Sequence, residues 1–156
     1  MVRLLTFLVL SAALAERADT LLVLQKGDDS LGFYDAATGK PEARVAVGKA
    51  PHQFAITSDE RFAYVTNYGV GNLSSAEPGG NSITIVDLRE RKVIGEISLG
   101  EYRRPHGIVR GKSGLYYVTT DYPAALLVVD GRKRKVNAAI PITGKLPQMV
   151  QLTSDE

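Results

Sequence analysis

The sequence contains no cysteine, which excludes a disulfide framework, covalent haem attachment, thiolate metal sites and a lipidated lipoprotein cysteine. It has almost no net charge: 19 Lys and Arg stand against 17 Asp and Glu. Without residues 1–15 the loss of Arg3 leaves 18 against 17, or +1. That balance offers no global case for a nucleic-acid partner or an anionic membrane surface. Histidine is scarce, with His52 and His106 the only two. Catalytic signatures are missing too. There is no Gly-x-Ser-x-Gly elbow and no His-Glu-x-x-His. The glycine-rich stretch over residues 69–80 ends in no Lys-Ser/Thr and precedes no helical pattern, so it is not a phosphate-binding loop. What remains is a turn-rich, 44% hydrophobic chain with fifteen Gly and seven Pro, long enough to bury a core.

The N-terminus has a three-part export pattern. Arg3 supplies the charge, residues 4–10 are apolar apart from Thr6, and Ala13-Leu14-Ala15 is an A-x-A cleavage site. The expected organisation is a signal peptide over residues 1–15 and a mature chain over 16–156 beginning at Glu16. The apolar stretch is too short to span a bilayer comfortably, so no stable membrane span is expected after its removal. The expected location is periplasmic or extracellular.

Laid upon itself, the chain repeats. Pro51-His52-Gln53-Phe54 recurs as Pro105-His106-Gly107-Ile108 and as Pro147-Gln148-Met149-Val150. Tyr64-Val65-Thr66-Asn67 aligns with Tyr117-Val118-Thr119-Thr120 and with Leu22-Val23-Leu24-Gln25. Further runs end at Asp35, Asp87 and Asp130, and a fourth set closes at Gly48 and Gly100. The step is 42 residues from Leu22 to Tyr64 and from Pro105 to Pro147, and 54 from Pro51 to Pro105, where residues 68–81 hold an extra loop. Each unit has four short β-branched and aromatic runs divided by turns, with no competing helical period. Four strands every forty-odd residues describe propeller blades. The expected fold is all-β: a partial β-propeller of about three four-stranded antiparallel blades. Strands b to d of a first blade fall in residues 20–48, whole blades in 51–100 and 105–144, and the start of another in 146–156.

Pro51-His52, Tyr64-Val65-Thr66-Asn67, the Ser82–Asp87 run and Gly100 together resemble the YVTN-repeat propellers, which include YncE-like proteins. The resemblance covers essentially residues 19–156. It implies an exported bacterial or archaeal protein and specifies fold far better than chemistry. Residues 102–107 more weakly resemble quinoprotein-associated and lactonase-type propellers. Without Trp, the chain does not belong to the tryptophan-aspartate repeats.

In a meander the d-to-a connections and b-to-c links share one end, the top. The expected ligand-binding residues there are His52, His106, Asn67, Tyr68, Arg103, Arg104, Asp121 and Tyr122, around the mouth of a channel. The recurrence of His with the repeat favours a structural hydrogen bond for it over catalysis or metal ligation, so no catalytic or metal residue is assigned. No cofactor is named by the sequence. The opposite end carries the c-to-d turns. The Asp opening each is a turn former, and Arg132 to Lys135 read as solvated turn charge, not a nucleic-acid patch.

The expected function is a non-enzymatic binding or scaffold module for a protein, peptide or glycan. The alternative is a remnant or relative of a lactonase-like or quinoprotein-associated enzyme. Three blades fall below the four to eight of closed propellers, and Thr153-Ser154-Asp155-Glu156 repeats Thr57-Ser58-Asp59-Glu60 without the strand that follows the first copy. An incomplete frame is the favoured explanation. A homodimer closing a six-bladed ring by exchange of terminal strands is the other.

Overall fold

The computed structural model describes residues 19–153, so the expected signal segment lies outside the described residues. Three antiparallel sheets follow one another. The first contains β1 (Thr20–Gln25), β2 (Ser30–Asp35) and β3 (Pro41–Ala46). The second contains β4 (Pro51–Ile56), β5 (Phe62–Asn67), β6 (Ser82–Asp87) and β7 (Lys92–Ser98). The third contains β8 (Arg103–Arg110), β9 (Leu115–Tyr122), β10 (Ala124–Asp130) and β11 (Lys135–Pro141). Sheets of this size in meander order, stacked face to face, make this a partial β-propeller. No α-helix occurs among the described residues, and no helix there is long and apolar enough to cross a membrane.

The sheets stack because each strand alternates its apolar residues between two faces. Leu31, Phe33 and Val45 of the first sheet meet Ala63, Val65 and Val86 of the second. The other face of the second sheet turns Tyr64, Ile83, Ile85 and Ile97 towards Ile108, Tyr116, Val118, Leu127 and Val129 of the third. Innermost strands β4 and β8 lie side by side. One bond repeats between blades. Thr66 Oγ1 donates to the His106 carbonyl at 2.9 Å while accepting from Gln53 N–H at 3.0 Å. Thr119 Oγ1 donates to the Gln148 carbonyl at 2.7 Å while accepting from Gly107 N–H at 2.9 Å. The Thr of the repeat is therefore a cross-blade fastener.

Residues 147–153 lie against β8 and β9 through that Gln148 bond, where a further inner strand belongs, but they form no strand. A strand exists only through its ladder, and among the described residues this segment has no ladder partner.

The turns repeat as closely. Asp35, Asp87 and Asp130 each use Oδ1 to accept the N–H three residues on, at 2.7, 3.0 and 3.0 Å. At Asp35 the Thr38 hydroxyl donates to the same oxygen at 2.6 Å and has the largest effect on its carboxyl. Such bonds hold all three carboxyls below the usual range. The left-handed residue before the next strand is Gly39 in the first turn but Arg91 and Arg134 in the others.

Candidate functional site

The residue immediately before each repeat proline has positive φ: Ala50 at 46°, Arg104 at 54° and Leu146 at 51°. Left-handed backbone is costly for a residue with a Cβ, so its recurrence marks a built feature. The ladder then slips between Pro51 and Phe54, and again between Pro105 and Ile108. These bulges free the intervening residues from the strict in-out alternation, and in both blades that stretch includes the histidine.

The two imidazoles stack on each other, centroids 3.5 Å apart and planes 39° from parallel. Tyr68 stands edge-on to His106 at 5.5 Å and tilted to His52 at 5.4 Å. Its hydroxyl donates to Asp121 Oδ2 at 2.8 Å. Lys26 Nζ lies 4.8 Å from the Tyr68 centroid. The cluster thus draws on all three blades, with Lys26 just after β1, Tyr68 just after β5 and Asp121 in β9. Moreover, Lys26, Tyr68 and Asp121 occupy the same repeat position, counted from the starts of β1, β5 and β9 at Thr20, Phe62 and Leu115. One backbone position, filled by an ammonium, a phenol and a carboxylate in successive blades, converges on the histidine pair.

Burial governs the protonation states here. It lowers the His52 pKa to about 4, helped by the neighbouring His106 and Lys26. His106 is also lowered by burial, although Asp121 opposes the shift. Tyr68 rises to about 12 through burial and its bond to Asp121. Burial lowers Lys26 as well. At neutral pH the imidazoles are therefore uncharged and the phenol is protonated. His106 Nδ1 and Asp121 Oδ1 are buried without a hydrogen-bond partner among the described residues.

The other expected site residues take different places. Asn67 is buried, its amide donating to Ser82 Oγ and Thr84 Oγ1, both at 2.9 Å. Gly48 packs so tightly there that a Cβ would lie 2.2 Å from Asn67 Cγ. Asn67 is thus part of the joint between first and second sheets, outside the His–Tyr cluster. Arg104, 3% exposed, grips the inserted loop. Its guanidinium donates to the carbonyls of Leu73, Ser75 and Glu77 at 3.3, 2.6 and 2.7 Å. It also lies 5.9 Å from the Tyr68 ring centre and 5.1 Å from that of Tyr122. Tyr122 is half exposed, opposite Arg103 in the β8–β9 ladder. The sequence reading missed Lys26, although repeat equivalence with Tyr68 and Asp121 was the signal that reaches it.

Among the described residues no group of three or more His, Cys, Asp or Glu could hold a metal ion. Burial that brings His52 down to about 4 makes that imidazole a weak base at neutral pH. Within the cluster Tyr68, His106 and Asp121 are buried, and His52 and Lys26 are partly exposed.

No protein-family model matches this chain, and no curated protein does. Solved structures do. A chain of Kuenenia stuttgartiensis hydrazine synthase is 29% identical with a TM-score of 0.73, over 87% of this chain and 36% of that one. The dihydro-heme d1 dehydrogenase NirN, solved in complex with DHE, is 22% identical with a TM-score of 0.62, over 84% and 26%. RRP9 WD40 repeats are 12% identical with a TM-score of 0.64, over 81% and 36%. This chain spans about a third or less of the length of each, and the latter two likenesses concern the fold alone.

Proposed function

We propose that this chain is part of an exported YVTN-type propeller acting as a binding module, in which the partly exposed His52 and Lys26 meet a peptide or glycan and the buried His106, Tyr68 and Asp121 stand behind them. The observation that carries this reading is the stacked, uncharged histidine pair beside Tyr68. The partly exposed His52 ring, backed by His106, offers a flat face with a polar edge that suits sugar rings and peptide groups. Buried, unpaired polar atoms at His106 and Asp121 offer the directional part of recognition. The activity of the hydrazine synthase is not carried across, because the likeness covers about a third of that chain.

The test is a glycan array and a peptide array probed with the labelled mature chain, alongside elemental analysis of the same preparation. A defined ligand set that is lost in Tyr68→Ala and His52→Ala supports the reading. Stoichiometric metal, or lactone hydrolysis abolished by the histidine substitutions, would replace it with the enzymatic alternative.

A further inference from the structure

We propose that the lower end of the third blade, formed by the β8–β9 and β10–β11 turns, is a surface for peripheral binding to an anionic phospholipid bilayer. The near-neutral total of the chain conceals how its charge is distributed. Residues 110–114 and 130–135 hold Arg110, Lys112, Arg132, Lys133, Arg134 and Lys135 against Asp130 alone, six to one, or +5. The whole chain is +2, so everything else carries −3. Along the chain, residues 132–135 are an ordinary charged turn. The meander of this four-stranded blade brings a second basic turn beside them, from its other hairpin.

Both turns close on one side chain. Gly131 packs over Tyr116, so near that a Cβ would lie 2.7 Å from the ring. From the end of β8, Arg110 hydrogen-bonds the Tyr116 phenol, and its guanidinium lies over the β8–β9 turn, 3.6 Å from where a Gly114 Cβ would stand. Little at this end offsets the positive charge. Burial raises the pKa of Tyr116 and of its neighbour Tyr64, so both phenols stay neutral. Asp130 is occupied by its own turn: Oδ1 accepts the N–H of Arg132 and of Lys133, and Oδ2 pairs with Lys133 Nζ at 3.6 Å. Arg134 is braced against the second blade, donating to the Ile94 carbonyl at 3.2 Å. Lys112 and all four basic residues from Arg132 to Lys135 are exposed, so the excess faces solvent.

The form of the surface selects the partner. Residues 111–114 and 131–134 include no aromatic side chain, and the phenols beneath them are buried. Nothing there can stack on a nucleobase, as single-strand binders do. The charges stand instead on the tips of short turns, which a planar array of phosphate headgroups meets without any groove. Each basic residue close to an anionic leaflet strengthens adsorption about fivefold. These turns lie at the opposite end of the blades from His52 and Lys26. A chain adsorbed through them therefore holds its histidine end away from the bilayer.

The experiment sediments the full chain, and the chain from Glu16, with vesicles of phosphatidylcholine alone or mixed in equal parts with phosphatidylglycerol. For the chain from Glu16, retention is expected on the mixed vesicles and not on phosphatidylcholine. It should weaken as added salt shortens the Debye length from about 30 Å to about 8 Å. Arg132→Gln and Lys135→Gln should each weaken binding about fivefold, and the pair at least about tenfold. Lys145→Gln removes the same charge from an exposed connection at the other end and should leave binding unchanged. No retention on the mixed vesicles, or retention that requires residues 1–15, would overturn the proposal. So would a double variant as tight as the parent, or an equal loss in Lys145→Gln, which would make total charge the cause. Displacement by an oligonucleotide at a far lower phosphate concentration than the vesicles present would overturn it in favour of nucleic acid.

Discussion

Thr66→Val removes one hydroxyl and keeps the side chain's shape. Thr66 is fully buried, and its Oγ1 joins Gln53 N–H of its own blade to the His106 carbonyl of the next. Valine leaves both backbone groups without that partner. A buried polar group stripped of its bond costs about 1–3 kcal/mol. Gln53 is half-buried and stands at the low end of that range, whereas His106 is buried. The sum is about 2–4 kcal/mol. Thr119→Val is the matched control. It orphans the buried Gly107 N–H, but the Gln148 whose carbonyl it releases is exposed and can turn to water, so about 1–2 kcal/mol is expected. Urea unfolding followed by circular dichroism measures both. With a slope of about 2 kcal/mol per molar, Thr66→Val should lower the midpoint by about 1–2 M, and Thr119→Val by roughly half as much. A Thr66→Val protein within about 0.5 kcal/mol of the parent, or one less affected than Thr119→Val, would refute the fastener role.

Stability should also fall with acid. Both imidazoles titrate below the ordinary value of 6.5 in the folded chain, His52 at about 4, so across that window the unfolded chain binds more protons. The contribution is complete above the window and is lost as pH falls through it; His52→Gln, bringing in the residue type found at Gln148, should flatten a thermal-stability profile over that range. Gly131→Ala drives a methyl into Tyr64 and Tyr116 and should cost about 1–3 kcal/mol by chemical denaturation, as overpacked sites do. Arg104→Ala should release the inserted loop, seen as faster limited proteolysis within residues 70–79 than in the parent, since the three carbonyls it holds lie there.

The sheets are legible in the sequence because burial on both faces demands near-continuous short runs of β-branched and aromatic residues, and the turn aspartates mark where each run stops. The conformations at the inner-strand entries are not. Ala50, Arg104 and Leu146 adopt positive φ, and a non-glycine residue placed there by tertiary packing leaves no local signal; the preceding-proline rule even points the other way. Strand order puts Asn67 and Arg104 at one end of the blades, but topology alone cannot distinguish a side chain that faces the channel mouth from one that holds a joint or a loop. That distinction depends on which groups nearby need partners: Ser82 and Thr84 for one, the carbonyls of the insert for the other.

A repeat protein separates its tasks by position. Where successive blades keep the same residue, as at Thr66 and Thr119 or at Asp35, Asp87 and Asp130, the structure gives it the same bond each time. Such positions build the blade. Where one position holds Lys26, Tyr68 and Asp121 in turn, the backbone has no need of any of them, yet the three are brought to a single place. Selection for folding alone gives no reason for a cation, a phenol and a carboxylate to meet beside two stacked histidines at the cost of unpaired polar atoms. The histidines fall between the two classes: they repeat, as a scaffold residue does, but their stack joins a half-buried ring at His52 to a buried one at His106 with an unpaired nitrogen. Substituting each by glutamine therefore separates the classes. His106→Gln should be tolerated for folding if the repeat position only needs a hydrogen-bonding side chain, as it has at Gln148, and any ligand selected on the arrays should still be lost. If the folded His106→Gln variant keeps that ligand at full affinity, the imidazole pair serves the scaffold and recognition lies with the divergent residues alone.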